Sequence, residues 1–96
     1  MYSRSEIENK LKRIKPELES NFHVKNIGYF GSFSEEKQTE TSDLDILVEF
    51  KKPIGWDYFT LERYLEHQLG LRIDMVTVNA LKDRIRENIL KQVRYI

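Results

Sequence analysis

The sequence predicts one α/β domain over residues 1–96, a small mixed β-sheet flanked by helices in the order α-β-β-α-β-α. Apolar residues recur at helical spacing in three segments, and three short runs of β-branched and aromatic residues lie between them. Gly, Pro and polar clusters separate these segments as turns would. Ninety-six residues, 40% hydrophobic and 11% aromatic, supply one packed core and little beyond it.

The first helix follows from Ile7, Leu11, Ile14 and Leu18, with Ser3 and Glu6 in the form of a capping box, and it ends near Asn21. Val24 to Phe30 reads as the first strand and runs straight into the turn pair Gly31-Ser32. From Ser34 to Ser42 no residue is apolar, so a short helical turn and an exposed loop are expected. Leu44 to Phe50, LDILVEF, is the clearest strand. Lys51, Lys52, Pro53 and Gly55 then punctuate the chain. Tyr58, Leu61, Leu65 and Leu69 define a second helix that Gly70 stops. A third strand covers Leu71 to Val78, and Leu81, Ile85, Ile89 and Val93 mark a final helix. No internal repeat or linker interrupts this order.

Sixteen Lys and Arg balance sixteen Asp and Glu, which argues against a broad cationic surface for nucleic acid. Cysteine is absent, excluding disulfides and thiolate-bound zinc. No apolar run approaches a membrane span, and the first residues, MYSRSEIENK, lack the apolar core of a secretory signal. A cytoplasmic location without a membrane role is the expectation.

Asp43 and Asp45 lie two apart at the entrance to LDILVEF, so the pleat sends both carboxylates to one face and Leu44 to the other. Two carboxylates about 4 Å apart repel by about 4 kcal/mol at an effective dielectric of about 20, a cost that a cation relieves. Magnesium suits such a pair, since it takes one or two carboxylates, keeps water and completes its shell with phosphate oxygens. An isolated Asp-X-Asp is more often a loop cap beside a solvated strand residue. Gly31-Ser32 changes the balance, because glycine admits a phosphate close to the backbone, serine adds a hydroxyl donor, and a helical turn starting there offers free N–H groups. Asp74 lies inside an apolar strand, where a buried carboxylate calls for a salt bridge to Arg72 or another basic residue unless it is exposed at a strand end; placing its strand beside LDILVEF would bring it near Asp43 and Asp45.

Gly31-Ser32, ten residues, then Asp43-Leu44-Asp45, with Asp74 in a later strand, resembles the GSx10DxD signature of the polymerase-beta-type nucleotidyltransferases. GSFSEEKQTETSDLDILVEF is particularly similar to the minimal nucleotidyltransferase (MNT) antitoxins, and the likeness extends through RIDMVTV and IRENILKQVRYI. The resemblance implies Mg-dependent transfer of AMP from ATP to a tyrosine hydroxyl on a HEPN-domain toxin, silencing it within a hetero-oligomer. It implies that Gly31, Ser32 and Ser42 bind the nucleotide, that Asp43, Asp45 and Asp74 ligate Mg2+ ions, two of them, and that Asp74 takes the acceptor proton. Two such ions about 3.5–4 Å apart stabilise both the attacking and the departing oxygen.

One position departs from the pattern. Relatives often carry Arg-Gly three residues after the serine, whereas this chain has Glu35-Glu36, an anion where a phosphate-facing cation is expected. Lys37 or a partner's basic residue is expected to compensate. The alternative is an antitoxin that neutralises its partner by binding alone; a small-molecule nucleotidyltransferase of the aminoglycoside-modifying kind needs further domains. His23 and His67 lack metal-ligand spacing and take no role. Trp56, Tyr58 and Phe59 read as core and edge packing before base stacking, Tyr95 as packing or a frayed tail, and the charges of the last helix as a solvated face.

Overall fold

The computed structural model describes residues 2–39 and 41–96, so Glu40 of the predicted polar loop lies outside the described residues. Helix α1 spans Arg4–Asn21 and begins as its capping box requires: Ser3 Oγ accepts from the Glu6 amide at 3.2 Å, and the Glu6 carboxylate accepts from the Ser3 amide at 3.3 Å. Strands β1 (Val24–Phe30) and β2 (Leu44–Phe50) have the predicted bounds. Helix α2 spans Asp57–Leu69 and closes on Gly70 in the left-handed conformation. Strand β3 is Ile73–Thr77, shorter than the predicted Leu71 to Val78, because Val78–Ala80 curls into a 3-10 turn. Helix α3 runs from Asp83 to Gln92; Leu81 and Val93, predicted within it, are both extended and lie outside. A fourth strand, β4 (Arg94–Tyr95), was not expected from the sequence: Tyr95 pairs with Gly28 rather than fraying.

The sheet is mixed, in the order β3-β2-β1-β4. β1 pairs antiparallel with β2 and with β4, while β2 and β3 are parallel, which makes β4 parallel to β3. The connections β2-α2-β3 and β3-α3-β4 are therefore both crossovers between parallel strands, but they travel in opposite directions across the sheet. Right-handed crossovers then send α2 and α3 to opposite faces. The burial pattern agrees. Leu44, Ile46 and Val48 join Ile7, Leu11, Leu18, Leu61, Leu65 and Leu69 in the main core, beneath α1 and α2. Leu47 and Ile89 are also buried but stand outside that core, on the face that α3 crosses.

The alternation that buries Leu44 and Ile46 turns Asp45 onto the α3 face, and the same alternation in β3 buries Ile73 and Met75 while turning Asp74 that way. The three aromatics read as core and edge packing divide here. Tyr58 packs against the core, whereas Trp56, 84% exposed, and Phe59, 49% exposed, pack at the edge, their ring centroids 5.9 Å apart. No helix among the described residues is long and apolar enough to cross a membrane.

Candidate functional site

β1 ends where β2 begins, because the two are antiparallel, and β3 begins at that same end, because it is parallel to β2. The end of β1, the start of β2 and the start of β3 thus meet. In register, Phe30 stands opposite Asp45, and Asp45 stands opposite Asp74. The Leu44 amide, between Asp43 and Asp45, donates to the Arg72 carbonyl at 2.9 Å and starts the β2–β3 pairing. Asp43 and Asp74 are exposed, and Asp45 is partly buried.

Gly31 follows Phe30 with φ +74°, and a Cβ there would lie 2.2 Å from Asp45 Oδ2. No side chain fits. Glycine at this position lets the backbone lie against the Asp45 carboxylate in a conformation that other residues adopt at a cost. The chain then makes one helical turn: the Gly31 carbonyl accepts from the Glu35 amide at 3.2 Å and from Ser34 Oγ at 3.0 Å, and the Ser32 carbonyl accepts from the Lys37 amide at 2.8 Å. Among the described residues the amides of Ser32, Phe33 and Ser34 meet no acceptor. Donors of this kind favour an anion.

Electrostatics single out Asp45. Burial, then the negative charge of Asp74, then that of Asp43 push its carboxyl up to about 6. Among the described residues no group of three or more His, Cys, Asp and Glu side chains is arranged to hold a metal ion by itself. Magnesium requires less, since one or two carboxylates with water and substrate phosphates suffice. Asp45, with the charges of Asp74 and Asp43 beside it and unpaired amides on the adjoining turn, is a donor set that would suit this ion in company with a phosphate. Tyr58 stands close by: its phenol donates to the Met75 carbonyl, and burial, then Glu62 and Asp74, raise its pKa.

The remaining predicted residues are distributed as follows. Ser32 is partly exposed on the turn. Ser42 closes the loop before Asp43, its Oγ accepting from the Thr39 amide at 2.9 Å. Asp74 forms no salt bridge with Arg72 among the described residues; its neighbour is Asp45. Ser34, expected in an exposed loop, is buried at 9%. Glu35 faces Lys37 at 3.8 Å in an exposed pair, so the lysine partners the departing anion itself. Glu36 has φ +57°, in the left-handed region that non-glycine residues seldom adopt. Its carboxylate is held by Arg4 Nε at 3.2 Å, and Arg4 Nη1 donates to the Ser34 carbonyl at 2.9 Å.

Two residues escaped the sequence reading. Arg4 reaches the turn from the first turn of α1, and Gln92 Oε1, from the last turn of α3, accepts from the Gly31 amide at 3.1 Å. Gln92 carried one local signal, a polar residue three positions after Ile89 on the sheet-facing side of α3.

The family model for the nucleotidyltransferase domain matches residues 11–96. The protein adenylyltransferase MntA of Thermococcus cleftensis is 42% identical over 97 residues, covering 100% of this chain and 98% of that protein. A solved structure described as a minimal nucleotidyltransferase superposes with a TM-score of 0.82 at 28% identity, covering 97% of this chain and 95% of that one. A further structure, of a tri-AMPylated Shewanella oneidensis HEPN toxin with its MNT antitoxin, shares the fold at a TM-score of 0.69 and 19% identity, covering 96% of this chain and 70% of that one. With the family model running from Leu11 to Ile96 and MntA matched along the whole chain, this chain belongs to the nucleotidyltransferase domain family and is an MntA homologue.

Proposed function

We propose that the chain transfers AMP from ATP to a tyrosine hydroxyl of a HEPN-type toxin, with which it forms a hetero-oligomer, and so acts as that toxin's antitoxin. The observation that carries this reading is the meeting of Gly31 with Asp45 and Asp74 at one end of the sheet, in a chain 42% identical to a protein adenylyltransferase. The free amides of the Ser32–Ser34 turn and the Ser32 hydroxyl hold the triphosphate. Asp43 and Asp45, with Asp74, hold Mg2+, which supplies charge neutralisation for the phosphates. Asp74, exposed at the start of β3, accepts the proton of the tyrosine hydroxyl. The phenolic oxygen bonds to the α-phosphorus, the bond from that phosphorus to the bridging oxygen breaks, and pyrophosphate leaves.

A rival reading, neutralisation by binding alone, draws on Glu35 in the phosphate turn. One experiment separates the two. ATP labelled at the α-phosphate, Mg2+ and a candidate HEPN-type partner are incubated with wild type or with Asp43→Asn/Asp45→Asn. Wild type is expected to label the partner and the double variant to lose labelling by at least about a thousandfold, the scale of removing groups that stabilise transition-state charge. Full neutralisation of the partner by an unlabelling double variant would establish the rival.

A further inference from the structure

Gly31 lies beyond the sheet ladders: β1 pairs with β2 only as far as Phe30, and with β4 only at Gly28 and Tyr29. Its amide therefore has no strand partner, and it is Gln92 Oε1, 61 residues further along the chain, that accepts from it. The carbonyl of the same residue is fixed by Glu35 and Ser34. Gly31 is thus pinned on both sides of its α-carbon. We propose that Gln92 is a positioning residue for the nucleotide turn: by accepting from Gly31 it holds that backbone against the Asp45 carboxylate and sets the direction in which Ser32, Phe33 and Ser34 present their amides. The proposal rests on the nucleotidyltransferase reading of the turn.

The chemistry of the side chain supports it. Only the oxygen of a primary amide can accept from an N–H, so this bond fixes which end of the Gln92 amide faces Gly31. A glutamate would accept equally well, but it would bring a further negative charge toward Asp43, Asp45 and Asp74, the set that already raises the pKa of Asp45. Glutamine supplies the acceptor without the charge. The bond also turns the Gly31 amide into the fold and leaves the ligand to the amides of Ser32, Phe33 and Ser34, which meet no acceptor among the described residues. Gln92 acts on the nucleotide through Gly31.

The test uses the whole chain as wild type, Gln92→Met and Gln92→Glu. Amide hydrogen exchange at Gly31 is read by NMR, and Mg-ATP affinity by titration calorimetry. Methionine matches glutamine in length but offers no comparable acceptor. Gln92→Met is expected to speed Gly31 exchange about tenfold and to weaken Mg-ATP binding about fivefold, the scale of one net hydrogen bond, with KM for ATP rising and kcat little changed. Gln92→Glu is expected to keep Gly31 protected. Unchanged exchange in Gln92→Met overturns the contact, as does loss of protection in both variants. Faster exchange with unchanged affinity and KM reduces Gln92 to a structural tie and overturns the positioning role. A wild type that protects Gly31 yet binds no Mg-ATP overturns the nucleotide reading and this proposal with it.

Discussion

At the scale of single residues, Asp45 is the acid at this end of the sheet whose chemistry the fold alters. Its carboxyl is pushed up to about 6 by burial, Asp74 and Asp43, whereas in the unfolded chain an aspartate titrates at about 3.9. A folded-state pKa above the unfolded value means that the native protein holds the proton more firmly. The associated stability is therefore fully present below about pH 3.9 and is lost as pH rises through about 6. Taken whole, the shift corresponds to about 3 kcal/mol, and solvent screening at this partly exposed position leaves on the order of 1 kcal/mol. Asp45→Asn is thus expected to stabilise the metal-free protein by on the order of 1 kcal/mol at pH 7.5 and to be neutral near pH 4. Urea denaturation at the two pH values checks this; a variant less stable than wild type at pH 7.5 contradicts it. The same substitution should remove a metal ligand, so stability and function pull against each other at this residue.

Among the elements, β4 shows where a sequence stops being informative. α1, β1, β2 and α2 were legible because each joins a clear period to a punctuating residue: Ser3 capping the start of α1, Gly31 after β1, Pro53 after β2, Gly70 after α2. β4 has two residues, too few for alternation to register. What makes it a strand is remote: Arg94 Nε donates to Glu8 Oε2 at 3.3 Å and to the Tyr29 hydroxyl at 3.1 Å, and the Tyr29 phenol donates to Glu8. The Gln92–Gly31 bond was illegible for the same reason, since nothing local relates residues 61 positions apart. Gly28 admits β4, for a Cβ there would lie 2.8 Å from both the Arg94 carbonyl oxygen and Val93 Cγ2. Gly28→Ala should therefore push β4 away from β1 and cost about 1–3 kcal/mol, the usual cost of overpacking. The signature to measure is early exchange of the Ile96 amide, which donates to the Ile27 carbonyl at 2.9 Å. Unchanged protection at Ile96 would show that β4 tolerates the added methyl group.

On the scale of the whole molecule, the sheet order gathers one site from three stretches of chain. The Asp-X-Asp pair and the Gly-Ser pair could be read locally, and Asp74 could be placed beside them only conditionally, because the β2–β3 pairing that brings it there is a long-range choice. The result is a native state that concentrates negative charge at one end of the sheet, whereas an unfolded chain has no such concentration to relieve. Mg-ATP should therefore bind the folded form alone, and a ligand of that kind stabilises by about 2.7 kcal/mol at a free concentration about 100 times its Kd. For a domain of about 100 residues each kcal/mol moves Tm by about 4–8 °C, so a rise of about 10–20 °C is expected. Mg2+ alone should give a much smaller rise, because its coordination shell is completed by the triphosphate. Asp43→Asn/Asp45→Asn should melt at a temperature that Mg-ATP barely changes. Thermal denaturation of both proteins with Mg2+, ATP and Mg-ATP distinguishes these cases: an equal Mg-ATP shift in wild type and double variant would mean that the nucleotide binds away from the acidic end of the sheet.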